Sequence, residues 1–366
     1  MNKDLASIRC IEQMLPHMYE SHEPLLYEQP IVDHYTKLLQ AIQNPTCEGL
    51  NILIFQPVAT GDIIVSSLAA ELLFKKYPGC SVDYMVEFDQ VKPILEGNPF
   101  IRSVIVEKDW EKFRTRDTTN EKIDGKPSED GPLIKDYDLA YSLYWWNAPM
   151  ITSFLEDLRL PTDYTRLHIY KNDKSYEKVK DFWKDSIGLK IALQRDIDMK
   201  TKWDISKYPE LYKKLEELGI VKVVGSGLGY NYSETAEILR RADMFVGVHG
   251  SIEHVAAAVE CQTITMPNVY KPEDVCAAYY QNKYRDPKKP CLVVKPKDFC
   301  GNYRCISYNP NDLPNKEPRY GFNSEGKFPP HMVRSCDYKS FKNTCIHEIS
   351  VNDVVSQVEK AIELRK

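Results

Sequence analysis

The sequence predicts an α/β protein of two domains, each a parallel sheet covered by helices on both faces. Short apolar runs alternate with stretches of helical period, first from Asn51 to Val106 and again from Lys190 to Met266. The chain has 366 residues, more than one hydrophobic core usually fills and comfortable for two. Hydrophobic residues make up 43% and charged residues 28%, which excludes a disordered chain.

The net charge of -5 supplies no broad basic field, so a nucleic acid is not an expected partner. The opening MNKDLASIRCIEQMLPHMYE lacks the apolar core of a secretory signal. The most apolar stretch, Asn51 to Phe74, is interrupted by Gln56, Gly61, Asp62 and Glu71 and does not span a bilayer. A cytoplasmic location is expected, with peripheral association at the inner membrane left open. In such a compartment the ten cysteines read as free thiols or metal ligands rather than disulfides.

Residues 1–48 read as a helical extension broken at Pro16, Pro24 and Pro30, a packing arm or partner contact without chemistry. The first domain is expected over 49–170. Asn51-Ile-Leu-Ile-Phe55 has the unbroken apolar character of a buried parallel strand. A loop, Gln56 to Asp62, leads to a helix on which Ile64, Leu68 and Leu72 recur. Lys75 and Lys76 mark its last turn and Gly79 its end. Ser81–Val86 is the next strand, Gln90–Glu96 a short helix, and Arg102–Val106 a third strand. Residues 107–136 form a polar, charged insertion, after which Tyr137–Leu143 returns to strand character. Tyr144-Trp145-Trp146 at its end is either packing or a sugar-stacking surface.

The second domain is expected over 171–349. Its strands are Lys190–Leu193, Val221–Val224, Met244–Val248 and Thr263–Met266; its helices are Ser206–Leu218, stopped by Gly219, then Ser233–Arg241 and Ser251–Glu260. The tail from Lys271 to Ile349 is rich in Pro, Lys, Tyr and Cys and is expected to be mostly irregular. Residues 350–366 form a closing helix. Ser350 caps it, with Asp353 three residues on, and Val351, Val354, Val355, Val358 and Ile362 make its stripe.

Gly61-Asp62 is the first candidate site. A carboxylate that follows a strand and precedes a helix lies where open α/β sheets bind ligands, and Gly61 permits a close backbone approach. The alternative is an aspartate that only caps the helix. Gly225-Ser226-Gly227-Leu-Gly229 follows a strand but lacks the third glycine of Gly-x-Gly-x-x-Gly, since Tyr230 stands there; it reads as a nucleotide-binding loop.

The stretch from Ile52 through Thr60-Gly61-Asp62 to Tyr77-Pro-Gly79 resembles the opening of the heptosyltransferase-like glycosyltransferases of family 9. The likeness continues through Val82-Asp-Tyr-Met-Val86, Ile94-Leu-Glu-Gly-Asn-Pro99 and Ile101–Val106. It resumes at Tyr137-Asp-Leu-Ala140, Lys202-Trp203, Tyr208-Pro-Glu-Leu211, Ala242-Asp-Met-Phe-Val-Gly247, Gly250–Met266 and Cys345-Ile-His-Glu-Ile349. The resemblance implies a GT-B fold, two Rossmann-like domains facing across a cleft, with the acceptor on the first and the donor on the second. It implies Asp62 as the catalytic base, with Thr60 and Gly61 on the acceptor-side loop. It implies a nucleotide-diphosphate sugar as donor, ADP-heptose-like, and no cofactor for catalysis.

Val248-His249-Gly250-Ser251-Ile-Glu-His254 lies at a strand end and opens a helix, so the free amides there could hold a diphosphate. The family usually has Asp-Thr-Gly here, followed by a histidine at the place of His254; this chain has His249-Gly250-Ser251. His249 is read as a hydrogen-bond partner of a sugar hydroxyl or a phosphate, and His254 either as a donor contact or as a histidine packed in an apolar helix. The family's donor-phosphate lysine before Trp203 falls on Thr201; Lys200 and Lys202 flank it, as donor ligands or as solvated charges. Cys300, Cys305, Cys336 and Cys345 lack the tight pair spacing of zinc sites. Some relatives bind iron or zinc through cysteines in this tail, so these four stand either as a structural zinc or iron site or as packed free thiols.

The function so implied is inverting transfer of a heptose or related sugar to a hydroxyl of a glycan, glycolipid or protein acceptor, in the synthesis of lipopolysaccharide or another surface glycan or of a glycoprotein. The competing readings are a catalytically silent GT-B sugar-binding or assembly module and a nucleotide-sugar epimerase of the same fold.

Overall fold

The computed structural model describes residues 49–56, 60–107, 137–143, 150–158, 160–163, 165–195, 203–225, 227–266, 276–295 and 348–366. The N-terminal extension, most of the 107–136 insertion, the Tyr144–Trp146 cluster and most of the tail lie outside them. The chain divides into two compact units, 1–164 and 165–366. No helix among the described residues is long and apolar enough to cross a membrane.

The first unit holds a four-stranded parallel sheet. Its strands are β1 (Asn51–Phe55), β2 (Ser81–Val86), β3 (Ser103–Val106) and β4 (Leu139–Ser142), in the order β3-β2-β1-β4. The central β1 is apolar on both faces because both are covered: Ile52, Leu53 and Ile54 are buried. The helix after β1 begins at Thr60, two residues before Asp62, and breaks at Ser67 into α1 (Thr60–Ser66) and α2 (Leu68–Lys76). The hydroxyls of Ser66 and Ser67 donate to the carbonyls of Ile63 and Ile64, at 3.2 and 2.8 Å. Such back-bonding competes with the helical ladder and bends it. The unit is completed by α3 (Lys92–Glu96) and α4 (Met150–Asp157).

The second unit opens with α5 (Asp173–Val179), whose Asn172 cap accepts the Ser175 N–H at 3.0 Å. Its strands are β5 (Lys190–Gln194), β6 (Ile220–Val224), β7 (Met244–Val248), β8 (Gln262–Met266) and β9 (Leu292–Val293). They form one parallel sheet in the order β6-β5-β7-β8-β9. Its further helices are α6 (Tyr208–Glu216), α7 (Tyr232–Leu239), α8 (Ser251–Ala258), α9 (Ala277–Gln281) and α10 (Val351–Arg365). Sequence put residues 165–170 in the first domain; here Leu167 N–H donates to Gln281 Oε1 at 3.0 Å and Ile169 N–H to Ala258 O at 3.4 Å, both within the second unit. Within the tail, α9 and β9 are ordered elements where irregular chain was expected, and β9 extends the sheet as its fifth strand.

Both sheets are pinned at their amino edge by the same device. In the first, the Asp138 N–H donates to Asn51 O at 2.8 Å and Asp138 Oδ2 accepts the Asn51 N–H at 2.9 Å. In the second, the Asp243 N–H donates to Lys190 O at 2.9 Å and Asp243 Oδ2 accepts the Lys190 N–H at 2.9 Å. Each aspartate immediately precedes a strand lying beside its unit's first strand. The motifs Tyr137-Asp-Leu-Ala140 and Ala242-Asp-Met-Phe245 therefore do equivalent work.

Helix α10 closes one face of the second sheet, with Val351, Val354, Val358 and Ala361 in the core beside Leu211, Leu215, Ile191 and Met244. Val355 and Ile362 pack at its margin. Ser350 Oγ accepts the Asp353 N–H at 3.1 Å while Asp353 Oδ2 accepts the Ser350 N–H at 2.8 Å, a complete capping box. Trp203 Nε1 donates to Ile349 O at 2.8 Å just before that cap. Ser350→Ala is expected to lower stability by about 1 kcal/mol, measured as a shift of the urea midpoint at unchanged slope.

Candidate functional site

In an open parallel sheet the loops at the carboxyl ends of two neighbouring strands diverge where the strand order reverses, and ligands bind in that crevice. The order β3-β2-β1-β4 puts this point between β1 and β4; the order β6-β5-β7-β8-β9 puts it between β5 and β7. Thr60, Gly61 and Asp62 follow β1, and His249, Gly250, Ser251 and His254 follow β7. Each group is thus at its own unit's switch point. Lys200, Lys202, Ser226 and the four tail cysteines Cys300, Cys305, Cys336 and Cys345 lie outside the described residues.

Asp62 is half-buried in the first turn of α1, not in the loop before it. A carboxylate there is favoured by the helix dipole. Beneath it, buried Tyr84 of β2 hydrogen-bonds through its hydroxyl to Ser66 Oγ. Burial pushes the Tyr84 hydroxyl well above its usual range; Ser66 offsets a part of this, and the Asp62 charge adds to it. Tyr84 therefore stays protonated, a neutral, hydrogen-bonded group within the electrostatic reach of Asp62.

The second group is built by strand β7. Gly247 lets β7 run against the Gln194 side chain of β5. A Cβ at 247 would stand 2.5 Å from Phe245 Cζ, 2.8 Å from Gln194 Cβ and closer still to Gln194 Oε1. That oxygen accepts the Val248 N–H at 3.1 Å, which fixes the strand's end. The His249 N–H continues the ladder to Met266 O at 3.0 Å. Gly250 then turns the chain at φ 156° and ψ -170°, a conformation that is nearly confined to glycine. The turn starts α8, whose first amides have no acceptor within the helix. Ser251 Oγ is held by the Tyr232 hydroxyl at 3.0 Å.

The structure adds two residues that sequence reasoning did not assign. Glu253, fully buried, lies one turn after His249. Its Oε1 accepts the Ala278 N–H of α9 at 2.8 Å. Its Oε2 is 3.0 Å from His254 Nδ1 and 3.7 Å from His249 Nδ1. The 3.0 Å approach lacks the direction of a hydrogen bond, and both Glu253 Oε2 and His254 Nδ1 are without a directed partner. Buried Cys276, the residue before α9, brings its Sγ to 3.7 Å from His249 Nδ1. Burial raises the Glu253 carboxyl, but the two imidazoles outweigh it and hold the group at about 2. Burial lowers His249 and Glu253 only partly offsets this, so the imidazole is neutral near pH 7. The His249–Glu253 spacing across a helix start was a legible signal; Cys276 had none, being 27 residues away from His249 in sequence.

The glycines of the loop after β6 adopt positive φ at Gly225 (155°), Gly227 (85°) and Gly229 (84°). The turn ends in the Asn231–Glu234 capping box of α7. β6 is the sheet's outer strand, so this loop flanks β5 at the carboxyl edge, one strand from the switch point.

No family model matches the chain, and no curated protein matches its sequence. Solved structures do match its fold. A glycosyl transferase of family 9 from Veillonella parvula DSM 2008 is 13% identical with a TM-score of 0.54, covering 87% of this chain and 98% of that one. The E. coli ADP-heptose lps heptosyltransferase II is 13% identical with a TM-score of 0.55, covering 86% and 99%. The dodecameric iron-containing heptosyltransferase TibC, in complex with ADP-D-beta-D-heptose, is 13% identical with a TM-score of 0.51, covering 86% and 77%. The resemblance carried by the sequence motifs is therefore also a likeness of fold.

The two glycines of β7 and its turn make opposite demands. Gly250→Ala meets no atom within 4 Å but strains the backbone, at an expected cost of about 1–3 kcal/mol. Gly247→Ala needs no unusual backbone but drives its Cβ into Phe245 and displaces Gln194 from Val248, at an expected cost of about 1–3 kcal/mol. Urea unfolding reads both, and a second substitution, Gln194→Ala, is expected to recover part of the loss in Gly247→Ala and none in Gly250→Ala.

Proposed function

We propose that the protein is an inverting glycosyltransferase of the GT-B type that moves a heptose or related sugar from a nucleotide-diphosphate donor to an acceptor hydroxyl, in surface-glycan or glycoprotein synthesis. The observation that carries this is the placement of an acidic residue at the switch point of one unit and an anion-accepting helix start at the switch point of the other. The fold shared with family 9 and heptosyltransferase structures supports it.

On this proposal Asp62 accepts the proton of the acceptor hydroxyl as its oxygen bonds to the anomeric carbon. The bond from that carbon to the diphosphate oxygen breaks, and the nucleoside diphosphate leaves with its charge. The amides of Ser251 and Ile252 at the start of α8 stabilise that charge, with the positive end of the helix dipole behind them. Lys200 and Lys202, which follow β5 in sequence, add cationic charge. None of these steps needs a cofactor.

The test is a thermal-shift screen of nucleotide-diphosphate sugars, followed by turnover with the stabilising donor. A donor at 100 times its Kd is expected to add about 2.7 kcal/mol of apparent stability. Asp62→Asn is expected to lower turnover by about 10²–10⁴-fold with donor stabilisation unchanged. Wild-type turnover in that variant removes Asp62 from the chemistry. Stabilisation by a donor with no release of nucleoside diphosphate in the wild type favours a silent sugar-binding module instead.

A further inference from the structure

His249, Glu253 and Cys276 converge although they come from a strand end, a helix turn and a separate helix start. One ligand atom from each lies within 4.8 Å of those of the other two. Two of the separations are 3.7 Å. A tetrahedral zinc, with bonds of about 2.1 Å to nitrogen or oxygen and about 2.3 Å to sulfur, holds its ligand atoms about 3.4–3.6 Å apart. Both separations from His249 are thus close to a tetrahedral edge before any ion draws the three groups together.

The burial of the cluster points the same way. Glu253 is at 0% exposure and His254 at 2%, yet Glu253 Oε2 and His254 Nδ1 lack directed partners. The two imidazoles answer the charge of Oε2 without a directed bond, so the oxygen keeps acceptor capacity for an ion. The other oxygen is already fixed by the Ala278 N–H, which aims the carboxylate and leaves Oε2 facing His249 and His254. Anchoring of one carboxylate oxygen while the other meets an ion is the usual arrangement of an oriented ligand.

We propose that His249 Nδ1, Glu253 Oε2 and Cys276 Sγ form a binding site for one borderline divalent transition-metal ion, zinc or ferrous iron, at the carboxyl edge of β7. A thiolate and an imidazole in the set disfavour magnesium and calcium, which take oxygen ligands. Three protein ligands leave the fourth position open to water or to a ligand at the switch point. His254 lies against Glu253 and positions the carboxylate. The ligand set includes none of Cys300, Cys305, Cys336 and Cys345, and it does not depend on the transferase reading.

The test uses the full chain, stripped by chelation and titrated with cobalt(II) as the probe. One equivalent is expected to bind, with the near-ultraviolet charge-transfer absorption of a cobalt–thiolate bond and the visible intensity of a four-coordinate ion. A variant carrying Cys300→Ser, Cys305→Ser, Cys336→Ser and Cys345→Ser is expected to keep that spectrum. Cys276→Ser is expected to lose the charge-transfer band, and His249→Gln to weaken binding at least about tenfold, in line with losses on altering a metal's surroundings. Cys276→Ala is read beside them, with circular dichroism on each, so that one misfolded variant leaves the others to decide. Absence of the band under excess cobalt overturns the proposal. So does a band that survives in folded Cys276→Ser or Cys276→Ala and disappears with the tail substitutions.

Discussion

A carboxylate with no solvent contact has to be answered by its surroundings, and Glu253 is answered from three sides. The α9 backbone donates to one oxygen, and the imidazoles of His249 and His254 flank the other. Burial works against the charge, and these groups together outweigh it. The consequence is mechanical. The charge ties α9 to the first turn of α8, and it flanks the ring of His249, the residue after β7. Cys276 is brought beside His249 because α9 is docked this way.

The amino and carboxyl edges of the two sheets divide stability from chemistry. At the amino edges the polar side chains are consumed by reciprocal bonds. Asp138 and Asp243 each lock the start of a neighbouring strand. Arg102 grips both oxygens of buried Asp83, at 2.9 and 2.6 Å, and donates to Asn51 Oδ1 at 2.7 Å. Tyr137 adds a third bond to Asp83 at 2.9 Å. Arg365, at the end of α10, reaches Gln262 and Asp243. With strand starts fixed in this way, register is set for the full length of each sheet. The carboxyl ends can then carry polar residues, such as Asp62 and His249, without the sheet depending on their side chains.

Most of this architecture was legible because it rests on local patterns. Ser81–Val86 and Met244–Val248 match their strands residue for residue, since an apolar run buried on both faces has few other ways to be satisfied. The Ser350–Asp353 cap was readable for the same reason: both partners lie within one turn. What was not legible depends on partners distant in sequence or on competition within a helix. The break at Ser67 comes from serine hydroxyls that draw on the carbonyls of Ile63 and Ile64, which hydrophobic period does not register. Helix α5 was missed because it buries only Ser175 and Val179 and so shows almost no stripe. Short α9 and two-residue β9 owe their order to Glu253 and to the β8 edge, not to their own sequence. Glu253 was inside a quoted motif yet went unassigned, because a glutamate in the first turn of a helix usually faces water.

The departure of this chain from the family pattern acquires a physical meaning at the same place. Where the resembling family has an aspartate after the strand, this chain has His249, and an acidic group returns one turn later as Glu253. The two carboxylates are not equivalent. A carboxylate at 249 would be an acceptor at the mouth of the site; Glu253 is fully buried and cannot touch a ligand there. His249 keeps 11% of its side chain exposed and is held neutral, so it presents one donor or one acceptor according to its tautomer. On the proposed function, the donor meets a neutral imidazole here where the resembling family usually offers a carboxylate.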